Sequence, residues 1–180
     1  MARFILVRHA ASPWTPDNKR PLSAPGAAAA RALVDRLNGT DIGRIYSSPY
    51  ARAVETVEPL AAERSLPVEK RLALRECYLG DLGTLPFEEA ARRAWSDFDL
   101  SWPGGESLRT AQKRIVNFVT PIAALCPEHP ILLSSHGTLL TLLLNAFDPS
   151  VGHAFWLSLQ HPDALRLDFD APDRARVTRI

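Results

Sequence analysis

The sequence predicts a three-layer αβα sandwich, an α/β fold in which a mostly parallel central sheet lies between helices and ends in an antiparallel edge strand. Three observations predict it. Short, continuous apolar runs are typical of strands buried on both faces of a parallel sheet. Helical segments alternate with these runs, as they do in layered α/β folds. Alternating apolar residues near the carboxyl terminus indicate antiparallel strands.

The first half of the chain contains two strand–helix units. A strand over residues 4–7 ends at Arg8 and His9, and a proline-rich loop covers residues 10–22. Ser23 is expected to cap a helix that runs to about Leu37, where Asn38 and Gly39 stop it. A second strand over residues 44–48 leads into a second helix over residues 51–63.

The second half begins with an irregular stretch over residues 72–86 and a short helix over 87–94. A glycine-rich turn then precedes a long amphipathic helix from 106 to about 125. A buried strand over 131–133 is followed by a helix over 138–146. The tail, residues 154–180, is expected to form two or three antiparallel strands. Without a repeat or an obvious linker, residues 1–180 are predicted to be one domain.

Composition limits the possible partners. The formal net charge is +1, so no global field draws the protein to nucleic acid or to an acidic membrane surface. No apolar stretch approaches the roughly 18 residues of a membrane span. Cys77 and Cys126 lack the spacing of a disulfide framework, a zinc motif or a redox motif. We therefore expect a cytoplasmic protein that binds neither nucleic acid nor membrane. The sequence is compatible with a homodimer.

Polar side chains follow three of the predicted strands. Arg8 and His9 follow the first, Arg52 comes shortly after the second, and His136 follows the strand over 131–133. The carboxyl ends of parallel strands lie along one edge of a sheet, where ligands bind. We therefore expect two guanidinium groups and two imidazoles to converge.

This set suits phosphoryl transfer without a metal. Charge on the phosphoryl oxygens needs fixed cations, and the planar forks of Arg8 and Arg52 can each grip two oxygens. A neutral His9 can attack phosphorus, with His136 as a further donor to the oxygens. Glu76 is the best-placed proton donor for the leaving alkoxide, provided that its pKa is raised. The expected partner is a small phosphorylated metabolite or phosphate.

Five blocks of the sequence, in order, resemble the histidine phosphatase superfamily, also called the phosphoglycerate mutase-like family. They cover the chain from its start to about residue 140. They are Val7-Arg8-His9-Ala10 with Ser12 and Trp14; Ser47-Ser48-Pro49-Tyr50-Ala51-Arg52-Ala53-Val54-Glu55-Thr56; Leu74-Arg75-Glu76 with Gly80; Pro103-Gly104-Gly105-Glu106-Ser107; and Ser134-Ser135-His136-Gly137.

The resemblance implies a phosphohistidine at His9, phosphate contacts from Arg8, Arg52 and His136, a proton donor at Glu76, and no metal or other cofactor. We add Ser12, Thr15 and Gly137 as predicted phosphate contacts. The fourth block is expected to be a structural turn. Ala10 replaces the family's usual glycine, as in small phosphohistidine phosphatases, and Thr15 stands where many members carry asparagine.

The leading hypothesis is a hydrolase of small phosphomonoesters, because the chain lacks room for the insertion of phosphoglycerate mutases. Phosphoglycerate mutase and protein-phosphohistidine phosphatase are the alternatives within the same chemistry. A non-catalytic phospho-ligand-binding module is the alternative from another class. Lys19 and Arg20 are candidates for a second anionic group of the substrate, although exposed charges of this kind are usually only solvated. Trp14 and Trp102 are assigned equally to the cavity mouth and to core packing.

Overall fold

A computed structural model describes residues 2–13, 15, 20–171 and 174–180. The elements in the first half are β1 (Ala2–Arg8), α1 (Ala24–Arg36), β2 (Arg44–Ser47), α2 (Ala51–Arg64) and β3 (Val68–Lys70), followed by a 3₁₀ turn over Leu72–Leu74. The second half has α3 (Phe87–Ser96), α4 (Leu108–Ala124), β4 (Ile131–Ser135), α5 (Gly137–Asn145), α6 (His153–Ser158), β5 (Asp163–Ala171) and β6 (Arg174–Arg179).

The six strands form one sheet in the order β3-β2-β4-β1-β5-β6. The pairs β3–β2, β2–β4 and β4–β1 are parallel, whereas β5 pairs antiparallel with both β1 and β6. This confirms the predicted α/β class with a mostly parallel sheet and antiparallel pairing toward one edge. β5 is the strand that runs against the others, and β6 lies outside it at the rim.

Alternate residues of the central strands supply two separate cores. Phe4 and Leu6 of β1 face one cluster with Ile115 of α4, and Ile5 and Val7 face the other. The second cluster includes Leu33 of α1 and residues of α2. Successive side chains of a strand point to opposite faces, so an unbroken apolar run fits a strand covered by helices on both sides. Helices therefore cover both faces of the sheet, which confirms the predicted three-layer sandwich.

Local sequence signals explain where the main helices begin. The Ser23 hydroxyl accepts a hydrogen bond from Gly26 N at the start of α1, as the capping prediction requires. The Ser107 hydroxyl accepts from Thr110 N at the start of α4. The preceding turn is tight: a Cβ at Gly105 would lie 2.1 Å from the Leu79 carbonyl oxygen, so only glycine fits there.

Two elements differ from the sequence-based expectation. Residues 154–158 belong to helix α6, so the prediction of strand structure there is wrong. The aromatic run around Phe155 favours a strand by composition, but in the fold Phe155 packs against the core from a helix. Strand β3 was missed, because Val68–Lys70 is only three residues long and two of them are charged. No helix in the described part of the chain is long and apolar enough to cross a membrane.

Candidate active site

The carboxyl ends of β1, β2 and β4 meet at one edge of the sheet, as expected from the sequence. The backbone pairing continues past the strands: His9 N donates to the Ser135 carbonyl at 3.0 Å, and Ser48 N donates to the Ser134 carbonyl at 2.8 Å. His136 follows β4 directly and caps α5. The rings of His9 and His136 consequently lie with their centroids 5.1 Å apart. The predicted convergence of the two imidazoles is present.

The hydrogen bonds of His9 assign different roles to its two ring nitrogens. Nδ1 lies 2.8 Å from the Ala10 carbonyl, which can only accept, so Nδ1 carries the proton. Nε2 is then unprotonated, and its lone pair accepts a hydrogen bond from Nε of Arg52 at 3.3 Å. Burial lowers the pKa of His9 to about 3, aided by the charges of Arg52, His161 and Arg8 and opposed by the bond to Ala10. His9 is thus neutral near pH 7, with Nε2 unprotonated.

Two guanidinium groups flank this nitrogen. Arg8 donates from Nη1 to the Leu159 carbonyl at 2.7 Å, which fixes its direction. Arg52 is 4% exposed, and its guanidinium carbon lies 4.9 Å from the centre of the Tyr50 ring. Burial lowers the pKa of Arg8, and burial with the charge of Arg20 lowers the pKa of Arg52 to about 10. The pKa of Arg52 stays well above neutrality, and arginine side chains are protonated in proteins at neutral pH, so both groups are cationic.

Several buried side-chain nitrogen atoms near His9 have no hydrogen-bond partner among the described residues. Within the described part of the chain, the buried Nε of Arg8, Nη1 of Arg52, Nε of Arg20 and Nδ1 of His136 have no hydrogen-bond partner. Unpartnered buried donors are costly and need an explanation in a folded protein. Three of the four belong to cations, so the arrangement is complementary to an anion.

His136 is completely buried, with its Nε2 2.8 Å from the Ser48 hydroxyl. Burial holds its pKa well below the usual range, with smaller contributions from His9 and Arg52. The next residue, Gly137, is also positioned at the site. A Cβ there would lie 3.0 Å from Nε of Arg8, so glycine lets the guanidinium lie against the first turn of α5.

Glu76 is held by backbone amides rather than by a cation. Its carboxylate accepts from Cys77 N at 2.9 Å, and from Leu139 N and Thr138 N of α5 at 3.2 and 3.4 Å. Burial raises the pKa of Glu76, and the three hydrogen bonds and the charge of Arg52 only partly oppose that rise. The direction of this shift favours the protonated form that a proton donor needs, and the role of Glu76 as donor stays a prediction.

His161 is a site residue that the sequence reasoning missed. Its Nδ1 lies 3.0 Å from the His9 carbonyl oxygen, and the two ring centroids are 5.0 Å apart. By sequence alone, His161 before Pro162 predicts only a turn. The available signal was the antiparallel direction of the last strands: β5 begins opposite Arg8, so the residues just before it return to the edge where β1 ends.

These side chains line a cavity of about 580 Å³, which is within the usual size of a small-molecule site. Part of its lining is the polar set described above. A second, mostly apolar part of the lining, which we call the aromatic end, consists of Leu79, Phe87, Glu88, Ala91, Ala94, Trp95, Leu108 and Trp156. Among the described residues, no group of three or more His, Cys, Asp or Glu side chains is arranged to hold a metal ion.

Comparison with known proteins decides the family. The model of the histidine phosphatase superfamily (branch 1) matches residues 4–174. The chain belongs to this superfamily. A 2,3-bisphosphoglycerate-dependent phosphoglycerate mutase of Bradyrhizobium diazoefficiens is 31% identical over 162 residues, covering 78% of each chain. Phosphoserine phosphatase 1 of Hydrogenobacter thermophilus is 28% identical over 150 residues, covering 76% of this chain and 71% of its own.

The fold agrees with solved structures of histidine phosphatases. A mycobacterial glucosyl-3-phosphoglycerate phosphatase superposes with a TM-score of 0.81 at 25% identity, covering 99% of this chain and 97% of its own. The superfamily and these neighbours indicate phosphatase or mutase activity for the chain. The resemblance inferred from the five sequence blocks is thereby confirmed at the level of the family and its fold.

The other residues predicted for the site differ in where the structure places them. Ser12 lines the cavity, but its hydroxyl donates to the Pro21 carbonyl at 2.7 Å. Thr15 is exposed, and its predicted phosphate contact stays a prediction. Arg20 lines the cavity. Trp102 packs against the apolar core, which favours the packing alternative. The predictions for Trp14 and Lys19 fall outside the described residues.

Proposed function

We propose that this histidine phosphatase hydrolyses small phosphomonoesters through a phosphohistidine formed on Nε2 of His9. The observation that carries the proposal is the state of that nitrogen: it is unprotonated, since the proton is on Nδ1 facing Ala10, and it lies beside buried cationic donors that lack protein partners. A nucleophile surrounded by donors for the phosphoryl oxygens is what a covalent phosphoryl-transfer enzyme needs.

In the first step, Nε2 of His9 attacks phosphorus and the bond between phosphorus and the ester oxygen breaks. Glu76 gives its proton to the departing oxygen, so a neutral alcohol leaves. Arg8, Arg52 and Nδ1 of His136 hold the phosphoryl oxygens. For His136 to donate from Nδ1, its Nε2 must accept the hydroxyl proton of Ser48, which lies at the required 2.8 Å.

In the second step, water attacks the phosphorus of the phosphohistidine and the bond to Nε2 breaks. The Glu76 carboxylate takes a proton from the water, which restores the acid for the next cycle. Inorganic phosphate leaves, and His9 is again neutral. The protein's own guanidinium groups supply the positive charge in both steps, so we expect turnover to be independent of divalent metal.

Release of p-nitrophenol from p-nitrophenyl phosphate tests the proposal. We expect His9→Ala to abolish turnover, and EDTA to leave the wild-type rate unchanged. His129→Ala is the matched control, because His129 lies outside the site and pairs with Asp41. Full activity in His9→Ala would overturn the assignment of roles and would favour the alternative of a phospho-ligand-binding module.

Phosphoglycerate mutase activity is the second candidate, because a relative at 31% identity carries that name. The two activities differ in the fate of the phosphoryl group. The protein should be mixed with 3-phosphoglycerate and a bisphosphoglycerate primer while 2-phosphoglycerate and free phosphate are both measured. Rapid isomerisation without phosphate release would refute the hydrolase proposal.

A further inference from the structure

Two helices supply an aromatic wall at the aromatic end of the cavity. Phe87 and Trp95 project from α3 at positions separated by two helical turns, and Trp156 projects from α6. The rings of Phe87 and Trp156 lie 6.3 Å apart, with their planes at 56°. Phe87 is 53% exposed. Phe87 therefore offers an exposed apolar face to a molecule bound in the cavity.

Small residues create the space in front of these rings. Ala91 lies one turn after Phe87 on the same face of α3, with Ala94 beside it, and both line the cavity. Leu79 and Leu108 complete the apolar floor and are almost fully buried. We refer to this apolar and aromatic part of the lining as the slot, and its chemistry suits a flat apolar group.

The charges at the two ends of the cavity differ. The lining cations are Arg8, Arg20 and Arg52, and the charge of Arg20 lowers the pKa of both Arg52 and His136, which places Arg20 at the phosphate end. Among the described lining residues, the aromatic end carries Glu88 and no cation. A second anionic group of a substrate placed there would meet a carboxylate and an apolar surface.

We propose that the preferred substrates are phosphomonoesters whose alcohol part carries a flat, uncharged ring. The inference rests on the proposed function and specifies its substrate class. The phosphoryl group lies between the guanidinium groups and His9, and the ring lies in the slot between Phe87, Trp95 and Trp156. Esters that carry a carboxylate, such as 3-phosphoglycerate or phosphoserine, are correspondingly poor substrates.

The test compares phenethyl phosphate with ethyl phosphate, whose leaving groups are both simple primary alcohols, so that the ring is the main difference. We expect kcat/KM for phenethyl phosphate to exceed that for ethyl phosphate by roughly tenfold, the order of one favourable aromatic contact with its buried area. Phe87→Ala and Trp156→Ala should each reduce this ratio several-fold. Leu157→Ala is the control on the same helix, because Leu157 is 65% exposed and should leave the ratio unchanged.

The expectation that esters with a carboxylate are poor substrates is tested by a charge reversal at the aromatic end. Glu88→Lys should raise kcat/KM for 3-phosphoglycerate relative to ethyl phosphate by several-fold. Glu58→Lys changes the net charge equally from the exposed surface of α2 and should leave that ratio unchanged. Because each readout is a ratio within one protein, a general loss of folding or activity cancels.

The outcomes separate the two proposals. If neither ester is hydrolysed in a manner that depends on His9, the proposed function fails and this inference with it. If His9-dependent hydrolysis occurs with equal kcat/KM for phenethyl and ethyl phosphate, only the substrate class is overturned. A preference of the wild-type protein for 3-phosphoglycerate over phenethyl phosphate would also overturn it.

Discussion

Glu76 illustrates how a single side chain is prepared for proton transfer. Three backbone amides bind its carboxylate, yet burial raises its pKa, so two opposing influences act on one group. The amides fix where the carboxyl group points, and burial favours its protonated form. Position and protonation state are thus set by different parts of the structure.

We expect Glu76→Gln to lower kcat/KM for ethyl phosphate far more than kcat/KM for p-nitrophenyl phosphate. This constant reports the first step, in which an alkoxide needs the proton that glutamine lacks whereas p-nitrophenolate leaves without it; the second step is common to both substrates. The loss in kcat/KM for ethyl phosphate should be about 100-fold or more, within the usual range of general acid catalysis. Steady-state kinetics with both substrates measures the difference.

The same residue predicts a pH dependence. Protonated Glu76 is the active form in the first step, so kcat/KM for ethyl phosphate should fall as the pH rises through the raised pKa of Glu76. Glu76→Gln should remove this basic limb, and Glu128→Gln on the exposed surface should retain it. Equal losses on the two substrates would argue against proton donation by Glu76.

Residues that directly follow parallel strands could be located from the sequence, because the carboxyl ends of such strands lie along the same edge of the sheet. Arg8, His9 and His136 follow from this rule, and Arg52 follows at the start of the next helix. His161 could not be located in this way, since it precedes an antiparallel strand whose position depends on pairing far along the chain. The variants His9→Ala and Glu76→Gln test two of the predicted roles.

At the scale of the helices, α4 positions the loop that carries Glu76. Arg114 of α4 donates from Nη1 to the carbonyls of Ala73 and Arg75, at 2.7 and 3.0 Å. Its Nη2 pairs with Glu106, which also pairs with Arg75. Arg75 is thus part of this network. Arg114 does not line the cavity and acts through the backbone of the loop.

We expect Arg114→Lys to lower kcat/KM for ethyl phosphate by about tenfold and to change kcat/KM for p-nitrophenyl phosphate less. Lysine keeps the charge but cannot make several directed bonds at once, so the Glu76 loop loses its anchor. Arg109→Lys is the control on the same helix, because Arg109 pairs with the exposed Asp99. A proportional loss on both substrates would indicate a general structural role instead.

The long helices were predictable because capping residues and apolar periodicity agree along them. The short elements were not: in β3 and α6, tertiary contacts rather than local sequence decide the conformation. Strand β3 forms because the parallel edge of β2 is available to Val68–Lys70. The aromatic wall of the cavity was not foreseen for the same reason, since Trp156 belongs to α6.

The buried histidines of the active site lower the stability of the whole folded protein at acidic pH. The pKa of His9 is lowered to about 3, and the pKa values of His136 and His161 are also lowered, each chiefly by burial. Below about pH 6.5 the unfolded chain binds protons at these histidines that the folded chain does not. The free energy of unfolding must then fall as the pH falls, partly offset by Glu76, whose raised pKa acts in the opposite direction.

We expect the free energy of unfolding to decrease between pH 7.5 and pH 5, by up to about 1.4 kcal/mol per pH unit for each histidine that stays neutral. Urea denaturation at a series of pH values measures the slope. His9→Asn removes one of the titrating groups, so its slope should be shallower than that of the wild-type protein. Identical slopes in the two proteins would contradict the assignment of a neutral, buried His9.

The two thiols lie in very different surroundings. Cys77 is buried in the cavity wall, where burial and the nearby carboxylates raise its pKa, so it is a poor target for alkylating reagents. Cys126 is exposed just before β4, at the end of the sheet away from His136. A maleimide dye or a surface tether will therefore attach at Cys126 first. The protein carries its own single attachment point, remote from the catalytic groups, without any engineering.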